Sequence, residues 1–286
     1  MDSYERAAAP RKISRRFIAA LRLLIAFGFL GGNLCFAQSD SPGLPGVSAS
    51  LIRLFGTNFA FTAQVETQVL GKDNKERIGT PMNFVRLDNR IRVEVDMTRM
   101  RNREQPDAAA QLKPLGLDQV VSLIRPDQRS TFAMFPKLRS VVKLPMPPVE
   151  AEAFSKPAKM ERTAVGREKM EGYACVKYRV VSTDDKGGKH EATVWNAAEL
   201  RDFPVCVATR EGDDTVVMRF RQVQFVRPEA AKFEIPTGYT ECADMQALMA
   251  GPAAKYLTTN KPTGPAKSTA RPTKPKTPPT TTTKKK

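Results

Sequence analysis

Alternation of apolar and polar side chains constrains the fold of this sequence more than any other feature. Over residues 91–97, three charged residues separate four apolar ones, Ile91, Val93, Val95 and Met97. Because successive side chains of a β-strand point to opposite faces, this spacing predicts a strand with one buried and one solvated face. Similar runs recur as far as residue 226, separated by short turns rich in Gly, Asn and Asp. The sequence therefore predicts a mainly β protein.

About ten such strands are expected, whereas helical spacing is confined to residues 47–55 and 244–249. An antiparallel sheet of this size curls, so it must either close on itself or cover its concave face. The apolar strand positions Phe59, Phe61, Val93, Val95 and Trp195 are candidates to line that face. Trp195 is interpreted as a core or cavity wall in preference to a recognition platform.

The first 37 residues predict a secretory signal peptide. Arg11, Lys12, Arg15 and Arg16 precede an apolar run from Leu23 to Gly32, and Ala37 supplies a small residue at the expected cleavage point. The uninterrupted apolar run has ten residues, whereas a membrane-spanning helix needs about 20. An uncleaved anchor is the alternative. Export to the periplasm or another extracytoplasmic compartment of a bacterium is expected.

Net charge predicts a basic tail, not a basic domain. Of the formal charge of +16, residues 1–37 carry +4 and residues 251–286 carry +9, which leaves +3 for residues 38–250. No nucleic-acid partner is therefore expected. Residues 251–286 are rich in Thr, Pro and Lys and are expected to be disordered. They are either a solvated spacer or a polycation that contacts anionic lipid or cell-wall polymer.

The rest of the chain is predicted to consist of a short linker, residues 38–47, and one domain, residues 48–250. Several of its motifs resemble exported proteins related to the lipoprotein carriers LolA and LolB. They are Ile124 to Pro136, Val165 to Tyr178, and the closing segment Phe233 to Tyr239. The resemblance implies a curled, unclosed antiparallel half-barrel of about ten strands with a few covering helices. It also implies that an acyl chain, a lipid or a lipoprotein binds in the concave face.

No catalytic, cofactor or metal site is predicted. His190 is the only histidine and follows a turn, and the acidic pairs at 184–185 and 213–214 lie in Gly-containing turns. Spacings of 31 and 36 residues between the three mature cysteines match no zinc motif. The chain is therefore not expected to be an enzyme.

Cysteines 175, 206 and 242 would lie in an oxidising compartment, where a disulfide is possible. In a simple meander Cys175 and Cys206 lie two strands apart, about 10 Å, which exceeds the ~7 Å limit for a bridge. Cys242 is the favoured member of a bridge, with Cys175 or Cys206. Three buried free thiols are the alternative.

Two functions from different classes remain open. The first is an exported, monomeric, non-catalytic carrier of a lipid, acyl chain or lipoprotein. The second is an envelope-associated structural protein with a packed barrel and a basic tail that contacts anionic surfaces. An open apolar concave face would favour the carrier, and a filled one would favour the structural protein.

Overall fold

A computed structural model describes residues 47–155, 159–183 and 188–260. The predicted signal peptide at 1–37, the linker up to residue 46 and tail residues 261–286 lie outside these described residues.

Thirteen strands form one sheet. The strands are β1 Ala60–Leu70, β2 Glu76–Leu87, β3 Arg90–Asp96, β4 Arg101–Asn102, β5 Gln119–Arg125, β6 Ser130–Phe135, β7 Ser140–Pro145, β8 Lys159–Met170, β9 Tyr173–Thr183, β10 Lys189–Ala197, β11 Phe203–Glu211, β12 Asp214–Gln224 and β13 Thr240–Cys242. The helices are α1 Ala49–Leu54, α2 Ala108–Leu112, α3 Pro148–Ser155, α4 Met245–Leu248 and α5 Ala254–Thr259.

The strand order is β13-β7-β6-β5-β3-β2-β1-β12-β11-β10-β9-β8, with β4 paired to β2, and the sheet is not closed into a barrel. All pairs are antiparallel except β13 with β7. The predicted class, a mainly β curled and unclosed sheet with a few helices, is confirmed. One uninterrupted meander would place β8 beside β7. Instead, a connection containing α3 takes the chain to the far edge, and the second meander returns to pair β12 with β1.

The concave face carries the main apolar core. Alternate residues of the strands, such as Phe61 and Val65 on β1 and Val93 and Val95 on β3, are at most 3% exposed. Helices α1 and α3 contribute Leu51, Ile52, Ala151 and Phe154 to the same cluster, and Leu248 of α4 joins it. Helices therefore cover the face that the strands leave open.

A segment that we call the strap, residues 225–239, crosses the outer face of the first meander. Phe233 is fully buried against Val85 and Leu87 of β2. Tyr239 packs on a second apolar cluster, formed by Val121, Leu123, Phe132, Met134 and Val141. Burying a side chain such as Phe233 stabilises the fold by about 1.5–3 kcal/mol. The strap thus gives β2, β5 and β6 a second buried face.

The structure corrects two expectations from the sequence. The segment from Phe233 to Tyr239 is not a closing strand, because Ala230–Phe233 forms a 3₁₀ turn and the last strand is Thr240–Cys242. The ordered chain also extends past residue 250. A π-helical turn, Met249–Ala253, leads into α5, where Leu257 packs against the main core and Tyr256 lies against Gly116. These contacts make residues 251–260 part of the folded domain.

Candidate functional site

A cluster of five phenylalanines occupies the centre of the concave face. Phe61, Phe84, Phe203 and Phe220 come from β1, β2, β11 and β12, and Phe55 follows α1. The ring centroid of Phe55 lies 4.9 to 5.9 Å from the other four, and all five side chains are at most 1% exposed. Such offset and edge-on contacts are favourable beyond the area they bury. Phe55 therefore plugs a recess that four strands form.

Helix α1 places this plug through local sequence features. Ser48 is its N-cap and accepts a hydrogen bond from the Leu51 amide at 3.2 Å, which stabilises the first turn. Leu51 and Ile52 are buried on one side of the helix. Phe55 is the C-cap, so its side chain enters the recess where the helix ends.

Arg86 holds the C-terminal end of α1. It follows Phe84 on the inner side of β2 and is only 3% exposed. Its guanidinium donates to the carbonyl of Asp88 at 2.9 Å, of Asn58 at 3.2 Å and of Ile52 at 3.3 Å. The Ile52 carbonyl belongs to the last turn of α1, where the helix dipole favours a cation. Arg86 thus fastens the helix and the following loop to the sheet.

The charge of Arg86 is unusual because no carboxylate among the described residues forms an ion pair with it. Burial lowers the pKa of the guanidinium to about 10, and the charge of Asp88 opposes that shift. The guanidinium carbon lies 5.7 Å from the ring centroid of Phe55 and 5.4 Å from that of Phe59. Carbonyl dipoles and aromatic faces therefore stabilise a buried cation. A buried charge held this way makes the attachment of α1 conditional on a few contacts.

Helix α3 is joined to α1 over the same face. The Arg53 guanidinium donates to the Ala153 carbonyl at 2.6 Å. Ala151 and Phe154 of α3 are buried in the core, whereas Val149 is 66% exposed. The two short helices are therefore linked to each other as well as to the sheet.

The five residues predicted to line a cavity are distributed over three environments. Phe61, Val93 and Val95 lie on the concave face within the packed core. Phe59 precedes β1 and is 50% exposed beneath Arg86. Trp195 of β10 is partly buried and packs against the main core, and it pairs with Cys206 of β11 and Lys177 of β9. The Trp195 indole nitrogen donates to Glu168, and the Lys177 ammonium lies 5.0 Å from its ring centroid.

Sequence reasoning missed Phe55 and Arg86 as site residues. Arg86 had a detectable signal, since it continues the inward positions of Met82 and Phe84 on β2. A charged side chain at an inward-facing position is costly unless it has a specific role. Phe55 had no such signal in the sequence, because a residue at the end of a short helix does not show which strands it will contact.

The outer face carries a polar groove of about 550 Å³ across β12, β1, β2, β3 and β5. Its charged residues include Glu66, Arg92, Glu94, Arg99 and Arg221. Several of these are paired, as Arg92 with Glu94 at 2.7 Å. The groove differs in chemistry from the apolar recess that the sequence predicted.

The predicted disulfide is not formed, because Cys175, Cys206 and Cys242 are free and buried. Cys242 lies on β13 at one edge of the sheet, while β9 and β11 belong to the other end of the strand order. Burial raises the pKa of all three thiols, and that of Cys206 to about 11. Their thiolates, the reactive forms, are therefore disfavoured.

Within the described ranges, no three His, Cys, Asp or Glu side chains form a group that could hold a metal ion. None of the helices in those ranges is long and apolar enough to cross a membrane.

No protein-family model matches the sequence. No curated protein is similar enough to match. Solved structures do resemble the chain. A LolA superfamily protein from Nitrosomonas europaea is 10% identical, with 66% of this chain and 98% of that one covered and a TM-score of 0.35.

Two mycobacterial proteins give similar values. The lipoprotein LppX from Mycobacterium tuberculosis is 12% identical, with 61% and 93% of the two chains covered and a TM-score of 0.34. LprF from Mycobacterium bovis is also 12% identical, with 67% and 96% covered and a TM-score of 0.33. At these identities and TM-scores the likenesses carry no argument about this chain.

Proposed function

We propose that this chain is an exported, non-catalytic protein that binds an acyl chain or a comparable amphiphile between its concave face and the covering helices. The observation that carries this proposal is the placement of Phe55. The side chain that caps a six-residue helix, and not one from a strand, fills the recess of four sheet phenylalanines. Moving one short element therefore exposes an apolar surface of the chemistry that an acyl chain prefers.

Arg86 has a defined role in this proposal. While its guanidinium binds the Ile52 and Asn58 carbonyls, α1 stays closed and Phe55 occupies the recess. Loss of these two contacts releases the helix end and its plug together. The protein then exchanges between a closed state and a state competent to bind ligand, and the apparent affinity depends on the fraction that is open.

Export and the remaining partners belong to the same proposal. The first 37 residues direct the chain out of the cytoplasm, and lipid or lipoprotein acyl chains are the proposed ligands. The basic residues beyond 260 are proposed to keep the protein near anionic envelope surfaces.

Native mass spectrometry of protein purified from its own envelope tests the function directly. We expect a co-purifying lipid, released when the protein unfolds. Binding of the neutral apolar dye N-phenyl-1-naphthylamine to delipidated protein gives a second measure. Absence of co-purifying lipid together with absence of dye binding would contradict the proposal.

Matched substitutions distinguish a ligand site that Phe55 blocks from a general loss of stability. Phe55→Ala and Arg86→Met should each raise the fraction of open protein and lower the apparent Kd for the dye by about tenfold. Phe132→Ala removes a ring that is also buried, 6% exposed, from the outer apolar cluster and should leave the Kd unchanged. Equal effects from Phe55→Ala and Phe132→Ala would show that dye binding reports destabilisation, not the recess.

The second candidate is a structural or interaction protein with a filled interior. It is favoured by one observation, the complete burial of Phe61, Phe84 and Phe203 in the closed state. In that case Phe55→Ala lowers stability without creating a dye site, and native protein carries no lipid. The experiments above therefore decide between the two.

A further inference from the structure

The two edges of the sheet differ in length. At one end of the strand order lies β13, which has three residues. At the other end lies β8, which has twelve residues, and ten of these are exposed. Within the described ranges only β9 pairs with β8, so the other side of this strand leaves its backbone donors and acceptors to solvent. A long unpaired edge is a template for another extended chain, whereas a very short edge is protected.

The side chains of β8 determine which chain can pair with it. Four cations and two acids are among its twelve residues, which gives the strand a net charge of +2. Ion pairs of 3.1 to 3.5 Å neutralise four of the six charges, on Lys159, Glu161, Arg162 and Glu168. Arg167 and Lys169 have no ion-pair partner in the described part of the chain. The edge therefore offers two positive charges that are not neutralised.

Arg167 and Lys169 lie on one face of β8. They are opposite Val176 and Ala174, which are two residues apart on β9, and the pairing over residues 166–170 is regular. Alternate residues of a strand are about 7 Å apart. An antiparallel partner strand with acidic residues at two alternate positions therefore places one carboxylate opposite each cation.

A second copy of this chain does not meet that requirement. Full-length antiparallel pairing of two β8 strands places Arg167 opposite Arg162 of the second copy, and Glu168 opposite Glu161. Lys169 then lies opposite Met160. Like charges directly opposite each other on a sheet are destabilising. The edge therefore disfavours self-association and leaves its two cations for a different chain.

We propose that β8 binds an extended acidic segment of another protein, which joins the sheet as an antiparallel strand. Main-chain hydrogen bonds along the edge supply affinity, and Arg167 and Lys169 select a partner with acidic residues at alternate positions. A guanidinium binds a carboxylate through two parallel N–H···O bonds, whereas an ammonium contributes a point charge. This interaction does not depend on the ligand proposed for the concave face.

Fluorescence anisotropy with three peptides of twelve residues, the length of β8, tests the interaction. The first peptide alternates Thr with Glu, and the second alternates Thr with Gln. The third alternates Pro with Glu, so it keeps the charge but lacks half of the backbone donors and favours a polyproline II conformation. We expect the Thr–Glu peptide to bind at least about fivefold more tightly than the other two, which lack the ion pairs or the main-chain hydrogen bonds.

Two double variants with the same change in charge locate the site. Arg167→Gln with Lys169→Gln should raise the Kd for the Thr–Glu peptide about fivefold. Lys72→Gln with Lys75→Gln removes two exposed cations from the β1–β2 turn and should leave the Kd unchanged. Circular dichroism reports that both variants are folded.

Hydrogen exchange in the native complex reports the strand pairing itself. Because alternate amides of a strand point to opposite sides, peptide binding should slow exchange at about half of the β8 amides, those that point away from β9.

Several results would overturn the proposal. Equal binding of the Thr–Gln peptide would mean that charge is not recognised, and equal binding of the Pro–Glu peptide would mean that no strand is added. Equal loss of affinity in the two double variants would reduce the interaction to a general attraction of a basic protein. If the Thr–Glu peptide does not bind, the charges of β8 only guard the edge against pairing. None of these results bears on dye binding in the concave face, which tests the proposed function separately.

Discussion

The two meanders of this sheet are buried to different extents. In the first, helices cover the concave face and the strap covers much of the outer face, so six of the seven residues of β5 are at least partly buried. In the second, the edge strand β8 is exposed at ten of twelve positions. Both meanders consist of antiparallel strands, so strand pairing does not account for the contrast. Segments outside the sheet decide which strands acquire two buried faces.

The contrast also assigns different tasks to the two regions. The first meander, with Arg86 and the strap, holds the closed structure together. The exposed edge of the second contributes little apolar burial, and its charged side chains remain in solvent. Substitutions are therefore expected to affect stability more in the first meander than at the edge of the second.

The largest expected effect compares one apolar residue from each region. Phe84→Ala removes a fully buried ring from β2 and should lower the free energy of unfolding by about 3–5 kcal/mol. Val165→Ala in β8 changes a side chain that is 53% exposed and should cost less than about 0.5 kcal/mol. Urea unfolding with unchanged m-values measures both. Comparable losses of stability would mean that β8 is covered in solution, and the contrast between the two meanders would then be wrong.

A smaller effect is expected where the strap is anchored. Arg125 is 7% exposed, and its guanidinium donates to the Phe233 carbonyl at 2.8 Å and to Glu234 at 3.0 Å. Arg125→Met leaves that carbonyl without its charged donor and should destabilise the protein by about 2–3 kcal/mol.

Arg92 is the matched control for the strap. Its guanidinium donates to the Lys232 carbonyl at 2.9 Å in a more exposed setting, so Arg92→Met should cost about 1 kcal/mol or less. Urea unfolding gives the stabilities, and limited trypsin digestion at Lys232 reports release of the strap. If the strap is released equally in both variants, Arg125 is not its main anchor.

The smallest effect concerns pH and the buried thiol of β11. Burial raises the pKa of Cys206 from an ordinary value of 9.0 to about 11. The folded state therefore holds this proton more tightly than the unfolded state, and its contribution to stability is present below pH 9 and is lost as pH rises toward 11. The stability difference between the native protein and Cys206→Ala should shrink by roughly 1 kcal/mol between pH 8 and pH 10.

Urea unfolding at the two pH values measures this change. Cys206 lies in the second meander, so the result also shows how far burial extends there. A stability difference that stays constant with pH would mean that water reaches the Cys206 thiol. Strands of the second meander other than β8 would then also be exposed.

Much of the fold follows from the sequence, because strand alternation is local. The strand at residues 91–97 was placed nearly to its ends. Val93 and Val95 lie within the packed core, and Trp195 is partly buried against it. Whether these residues line a ligand cavity stays a prediction.

The candidate site was less predictable. The recess combines residues from β1, β2, β11 and β12, and the pairing of β1 with β12 joins positions about 160 residues apart. No local pattern encodes that partnership. Arg86 carries a sequence signal only once its strand face is known, and its carbonyl partners come from a helix and a loop.

The sequence by itself determined the alternation of the strands and the uneven distribution of charge, +3 over residues 38–250 and +9 over residues 251–286. Those properties depend on side-chain chemistry and on the two-residue period of a strand. The tertiary structure alone decided the order of the two meanders, the burial of a second face by the strap and the plugging of the recess by Phe55. Each of these depends on which distant segments meet, and that choice depends on the packing of the whole chain.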